Sequence, residues 1–222
     1  MLVTSRSFDE YIAMFDLGSD DLSGRVLDCS AGVAGFVVEA NRRPGCRAVA
    51  VDPVYSLPRD ELAQLGNADL QRGSAIAGEF TDRFTFAWYG APERRTALRT
   101  HALADFLLDL VMHPNRYVAG QLPHLPFRDG SFDLALCSHL LFTWADQLGL
   151  AWHVAALREM VRVATQVRIF PTLMQGRGDA VPFWDDLMSE LAVMQLRADM
   201  RRVPYEFQTG GDTMLVVTGA NG

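Results

Sequence analysis

Arg25-Val26-Leu27-Asp28-Cys29, followed by Ser30-Ala31-Gly32-Val33-Ala34-Gly35, is the stretch on which the fold turns. The first five residues suit a short apolar strand, and the next six form a turn of small residues. A helix is predicted to follow through Phe36, Val37, Val38 and Ala40, stopped by residues 41–45. Residues 47–52 read as a second strand. Strand, helix and strand of this length make a βαβ unit, so the two strands are predicted to run parallel.

Upstream, Phe8, Tyr11, Ile12 and Phe15 recur at helical spacing after Ser7, which predicts a helix over 7–16 ended by Gly18 and its acidic neighbours. Downstream, residues 53–115 are too many for a crossover. They predict helices over 59–65 and 93–112, the second with an apolar stripe of Leu103, Phe106, Leu107, Leu110 and Val111. An aromatic segment, 84–90, lies between them. An insertion of this size is expected to act as a lid or a dimer element. Strands are predicted over 116–120, 132–137 and 166–170, with helices over 151–162 and 183–196. Residues 200–207 and 213–218, joined through Gly210-Gly211, predict a closing hairpin. The expected fold is one α/β domain over 1–222. Its sheet is Rossmann-like, doubly wound, seven-stranded and mostly parallel, ending in an antiparallel hairpin.

Composition narrows the function. The net charge of −7 argues against nucleic acid or an anionic membrane as partner. No apolar run is long enough to cross a bilayer, and the start, MLVTSRSFDEY, has no signal-peptide pattern. Cys29, Cys46 and Cys137 have neither metal-ligand spacing nor a disulfide framework; they suit small core positions in a reducing cytoplasm, and no metal is expected. The chain contains no lysine, which speaks against a Walker A phosphate loop and Schiff-base chemistry.

Ligands of an open parallel sheet bind beyond the carboxyl ends of its strands. The strand ends here are Asp28, Asp52, Gly120 and the residues after Cys137. Gly32 lets backbone come close to a ligand, and the next helix start offers N–H groups. Asp52, roughly twenty residues beyond the turn, suits the two hydroxyls of a ribose. Ser30-x-Gly32-x-x-Gly35 also approaches the dinucleotide pattern of nicotinamide-dependent oxidoreductases. Asp28 would repel a pyrophosphate, however, and suits a cationic amino group.

Together these residues resemble the class I S-adenosylmethionine (SAM)-dependent methyltransferases. Residues 26–32 resemble their motif I, and Val51-Asp52 their motif II acid. Leu125-Pro126-Phe127-Arg128-Asp129-Gly130-Ser131-Phe132-Asp133-Leu134 matches the L-P-F-x-D-x-S-F-D segment before strand four. The resemblance runs from about residue 24 to the end. It is nearest to uncharacterised bacterial methyltransferase-like proteins with a helical insertion after strand two. Two departures stand out: D-x-G-x-G-x-G becomes Asp28-x-Ser30-x-Gly32-x-Ala34, and Gln121 stands where the family often has an acid.

The resemblance implies SAM as cofactor. Asp28, Cys29, Ser30 and Gly32 would lie about its methionine amino group, and Asp52 and Pro53 about ribose and adenine. Gln121 and Leu122 would meet the adenine edge, and Ser138 and His139 the methyl end. His139 is the candidate base. Trp88, Tyr89, Phe142 and Trp144 would wall an acceptor pocket, with Arg94 and Arg95 meeting an anionic acceptor. The expected activity is methyl transfer to a small molecule, with homodimerisation as an option for the insertion. The alternatives are a SAM-binding protein without transfer activity and a nicotinamide-dependent oxidoreductase.

Overall fold

The computed structural model describes residues 3–79, 83–175 and 178–219. Its first helix, α1 (Phe8–Phe15), begins in a capping box. Ser7 Oγ accepts from the Glu10 N–H, and Glu10 Oε2 accepts from the Ser7 N–H. Phe8, Tyr11, Met14 and Phe15 are buried. The helix stops earlier than Gly18 would have it: Asp16 adopts φ 47°, and the Leu17 N–H returns to the Ile12 carbonyl.

Strands β1 (Arg25–Cys29) and β2 (Arg47–Val51) are parallel, in register Arg25 to Arg47 through Cys29 to Val51, with α2 (Phe36–Ala40) between them. Two long helices follow, α3 (Arg59–Glu79) and α4 (Pro92–Met112). After β3 (Tyr117–Val118) and β4 (Phe132–Ser138) come α5 (Leu150–Val163), β5 (Ala164–Phe170) and α6 (Trp184–Val193). The antiparallel pair β6 (Leu196–Arg202) and β7 (Thr213–Gly219) closes the sheet. The seven strands lie in the order β3-β2-β1-β4-β5-β7-β6. Strand order reverses between β1 and β4, so a crevice is expected above their carboxyl ends.

Strand alternation builds two cores. Val26, Ala48, Leu134, Leu136 and Val216 face α1, α2 and the insertion. Leu27, Ala135, Cys137, Val167, Ile169 and Val217 face α5 and α6.

Three expectations about elements are corrected. The closing strand begins at Leu196, not at 200, because Gln195 at φ 57° ends the helical stretch and the strand starts at once. Residues 203–212 are therefore a loop, bridged by the Val203 N–H to the Asp212 carbonyl, and the loop turns Tyr205 into the core. The third strand shrinks to two residues, since Pro114–Arg116 form a 3₁₀ turn. On α4, Leu103 and Phe106 are buried but Val111 is 58% exposed. The buried stripe runs the other way, through Ala102 and Arg99 to Arg95.

That polar end of the stripe leads to Glu10. One Glu10 oxygen, Oε1, accepts from Arg99 at 2.8 and 3.0 Å and from the Tyr89 hydroxyl at 2.6 Å, and Tyr205 lies 2.6 Å from Tyr89. Burial alone would raise the Glu10 carboxyl. Arg99, Arg6 and the Tyr89 and Ser7 hydrogen bonds outweigh it and hold the group at about 2. Glu10→Gln leaves Arg99 buried without its counter-charge and should lower unfolding free energy by about 3–5 kcal/mol in urea titrations. A depressed carboxyl stabilises above the unfolded value of 4.5 and stops doing so as pH falls towards 2. The gap between wild type and variant should therefore close on that acid limb.

Candidate active site

A cleft opens above the carboxyl ends of β1, β2 and β4, enclosing about 1020 Å³ out to its solvent-open mouth. Ser30, Gly32, Asp52, Ser138, His139 and Trp144 line it.

Its floor is the turn after β1. Ser30 and Gly32 both have positive φ, 60° and 59°. Glycine adopts this conformation freely, but serine does so at some cost. The Gly32 N–H donates to Asp52 Oδ2 at 2.9 Å, and the Tyr55 hydroxyl donates to the Gly32 carbonyl at 2.7 Å. The helix start was expected to offer its N–H groups to a ligand. Instead the Val33 N–H donates to the Thr4 carbonyl and the Gly35 N–H to the Arg6 carbonyl. A β-carbon on Gly32 would lie 3.0 Å from the Thr4 carbonyl oxygen. The glycine thus admits the N-terminal segment, which roofs the turn and brings Thr4 and Arg6 into the cleft.

Asp52 ends β2. Its Oδ1 accepts from the Val54 N–H at 3.0 Å, capping the 3₁₀ turn Pro53–Ser56. Burial raises its carboxyl above the ordinary value, opposed by the N–H groups of Val54 and Gly32. Asp28 lies one layer beneath the cleft, 1% exposed. Its Oδ1 accepts from the Tyr11 hydroxyl at 3.0 Å, and its Oδ2 is buried without a partner. Burial raises Asp28 to about 8, with the charge of Asp52 adding to the effect, while Tyr11 and Arg6 oppose it.

Ser138 Oγ lies 2.8 Å from His139 Nδ1, and His139 holds φ 53° while its N–H donates to the Phe170 carbonyl. Burial, reinforced by Arg6 and Arg99, keeps the imidazole well below its ordinary value and hence neutral at pH 7.

The remaining sequence candidates lie elsewhere. Cys29 is buried beside Cys137 in the core facing α5 and α6. Pro53 is exposed beside Asp52; Gln121 is exposed and bridged to His124, and Leu122 is buried with Leu125. Tyr89 belongs to the Glu10 network, and Trp88 stacks edge-on against Tyr89 and Tyr205. Arg94 lies over Trp88 and donates to the Tyr89 carbonyl. Phe142 packs between His153 and Trp184. Of the paired arginines, Arg95 reaches the cleft and Arg94 does not.

The cleft also gathers Asp69, Arg99, Thr143, Gln175, Phe207 and Gln208, none of them expected. Arg99 was readable in principle: with Arg95 it continues the stripe of Leu103 and Phe106 at i, i+4 spacing. Among the described residues, no helix is long and apolar enough to cross a membrane.

Residues 93–167, from the start of α4 into β5, match the methyltransferase domain family. Over that stretch the chain is similar to methyltransferase domains. It is 27% identical over 217 residues to an uncharacterised protein of Methanocaldococcus jannaschii, covering 97% of this chain and 95% of that one. Among solved structures it resembles magnesium protoporphyrin IX methyltransferase of Synechocystis PCC 6803 with bound SAM. That match has 11% identity, covers 96% and 77% of the two chains, and has a TM-score of 0.49. A SAM-dependent methyltransferase of Aquifex aeolicus matches at 13% identity, 94% and 90% coverage and a TM-score of 0.43.

The residues present fit a methyltransferase cofactor. The orphaned Asp28 oxygen is a buried acceptor below the turn, suited to an amino group reached through water. Asp52 keeps lone pairs for hydroxyls, since each oxygen accepts one N–H.

The turn predicts opposite outcomes for two substitutions. Ser30→Gly relieves a left-handed serine and should raise stability by about 1 kcal/mol. Gly32→Ala drives a methyl group into the Thr4 backbone and should lower it by about 1–3 kcal/mol. By calorimetry, S-adenosylhomocysteine affinity should survive the first change and fall at least about tenfold in the second.

Proposed function

We propose that this methyltransferase moves the methyl group of SAM to a small-molecule acceptor within the cleft. The observation that carries this reading is the meeting, in one cleft, of the turn at Ser30 and Gly32, Asp52 and the Ser138–His139 pair. When bound, SAM supplies an electrophilic methyl group on a sulfonium sulfur. Asp52 would hold the ribose hydroxyls, Asp28 would balance the amino group, and Ser138 and His139 would lie at the methyl end.

Methyl transfer is an in-line displacement, so alignment and exclusion of water can supply much of the rate. The acceptor atom bonds to the methyl carbon, the carbon–sulfur bond breaks and sulfur keeps the electron pair. The acceptor atom then sheds its proton. With Ser138 Oγ donating to Met14 Sδ, a His139 Nδ1–H would donate to Ser138 Oγ, and Nε2 would be left to take that proton. A neutral imidazole of low basicity suffices for an oxygen acceptor, because a methylated hydroxyl is a strongly acidic oxonium. His139 thus acts as a late proton acceptor and shapes the methyl end of the cleft.

A small acceptor is supported by the net charge of −7, which disfavours nucleic acid. A reducing cytoplasm is supported by three buried free thiols. Self-association is supported by Leu108, Val111 and Met112, exposed on the last turns of α4.

Two experiments test the reading. S-adenosylhomocysteine should form when the protein meets SAM and a metabolite extract, and Asp52→Ala should reduce it at least about a hundredfold. No turnover with any extract would overturn the assignment. The second uses Asp28. Because Asp28 keeps its proton up to about 8, an amino cation beside it must displace that proton at lower pH. S-adenosylhomocysteine affinity should therefore weaken towards about tenfold per pH unit below 8. Asp28→Asn should weaken binding at pH 8 and flatten the profile; a profile equally steep in the variant would contradict the role.

A further inference from the structure

The cleft carries more buried cation than methyl transfer requires. Arg6, Arg95 and Arg99 all line it, each at least nine-tenths buried. Arg99 is satisfied by Glu10. Arg6 makes one 3.3 Å hydrogen bond, to Thr4 Oγ1, and its Nε is buried without a partner. Arg95 Nε is likewise buried and unpartnered, and its guanidinium sits 4.7 Å above the Phe207 ring. Asp69 shares the cleft and feels the charge of both arginines, though among the described residues no ion pair within 4 Å joins it to either. Thr143 Oγ1 is a further buried polar atom in the same cleft without a partner.

Buried guanidinium groups with unmade hydrogen bonds are unfavourable in a free protein; Glu10, Asp28 and Asp69 act on Arg6, and Glu10 and Asp69 on Arg95, through charge, and leave the two Nε donors unpartnered. Burial lowers Arg95 to about 10, which still leaves it charged at neutral pH. Guanidinium groups are planar forks that match a carboxylate with two parallel hydrogen bonds. Phe207 and Trp144 supply flat apolar walls in the same cleft, and Phe84 stacks on Phe207 at 4.9 Å.

Resting on the methyl-transfer reading above, we infer that the acceptor is a planar, ring-bearing carboxylic acid. Arg95 and Arg6 take its carboxylate, and its ring lies against Phe207 and Trp144. The charge fixes the acid end of the acceptor and so turns the opposite edge of its ring towards the methyl end at His139. Arg95 and Arg6 select and orient the acceptor and take no part in the proton transfer.

The test is calorimetric titration of the protein, saturated with S-adenosylhomocysteine, with benzoate and with its neutral isostere benzamide. Benzoate should bind at least about tenfold more tightly than benzamide, as hydrogen bonds to a charged group are roughly twice as strong as neutral ones. This comparison needs only the wild-type protein. Arg95→Met keeps the stem over Phe207 and removes the charge. It should lose that preference, leave S-adenosylhomocysteine affinity within about twofold, and leave the ligand-free protein as stable as before or more so. Equal binding of the two probes overturns the inference. So does a variant that loses S-adenosylhomocysteine as steeply as benzoate, because the cations would then read the cofactor's own carboxylate. Failure of the wild type to bind S-adenosylhomocysteine overturns the methyl-transfer reading instead. The benzoate comparison on ligand-free protein then still decides the anion site.

Discussion

Glu10 and Arg99 stand 89 residues apart in the chain, and their side chains meet with 0% and 5% of their surface exposed. A buried carboxylate at the start of a helix can be held ionised only by close partners. Here the partners come from every part that roofs the sheet: the capping box of α1, Arg99 on α4, Tyr89 before α4 and Tyr205 from the loop between β6 and β7. This one pairing sets the rotation of α4 and the position of α1. The position of α1 in turn lays residues 4–6 across the glycine turn, with the Thr4 and Arg6 carbonyls capping its N–H groups. The upper wall of the cleft depends on it.

The chemistry of the site follows from that wall. In a bare βαβ unit the turn would present backbone N–H groups to a ligand, a preference for anions. Here those groups are occupied. The lower part of the cleft is acidic through Asp52, above the buried Asp28, and the upper part is cationic through Arg6 and Arg95. One cleft thus brings carboxylates and guanidinium groups together. Ser138 and His139, where β4 gives way to the next loop, also line it. The positive φ of His139 and its Phe170 contact fix the imidazole by backbone and packing.

Much of the frame was legible because its signals are local. Residues 25–52 announce a βαβ unit by apolar runs and small residues, and β1, α2 and β2 form there. Asp52 was found because a strand end places it. The insertion was harder to read, since its structure rests on non-local contacts. A β-carbon on Gly35 would come 3.1 Å from Ala102, and one on Gly66 would meet Leu103, so the insertion's helices pack through glycines whose partners lie far along the chain. Tyr89 looked like an acceptor contact because an exposed-loop aromatic and a buried hydrogen-bonded tyrosine look alike in sequence; only the pairing with Glu10 separates them. The Gly210-Gly211 pair suggested a tight hairpin, but Pro204 and the inward turn of Tyr205 lengthen the connection.

Helix α4 is a fixed wall of the site, tied to the core through Arg99 and Glu10. In native-state hydrogen exchange the amides of residues 96–106 should therefore open only with global unfolding, at the same free energy as those of β4. Exchange of that segment through a separate opening, at least about 2 kcal/mol below the global value while β4 stays protected, would contradict it.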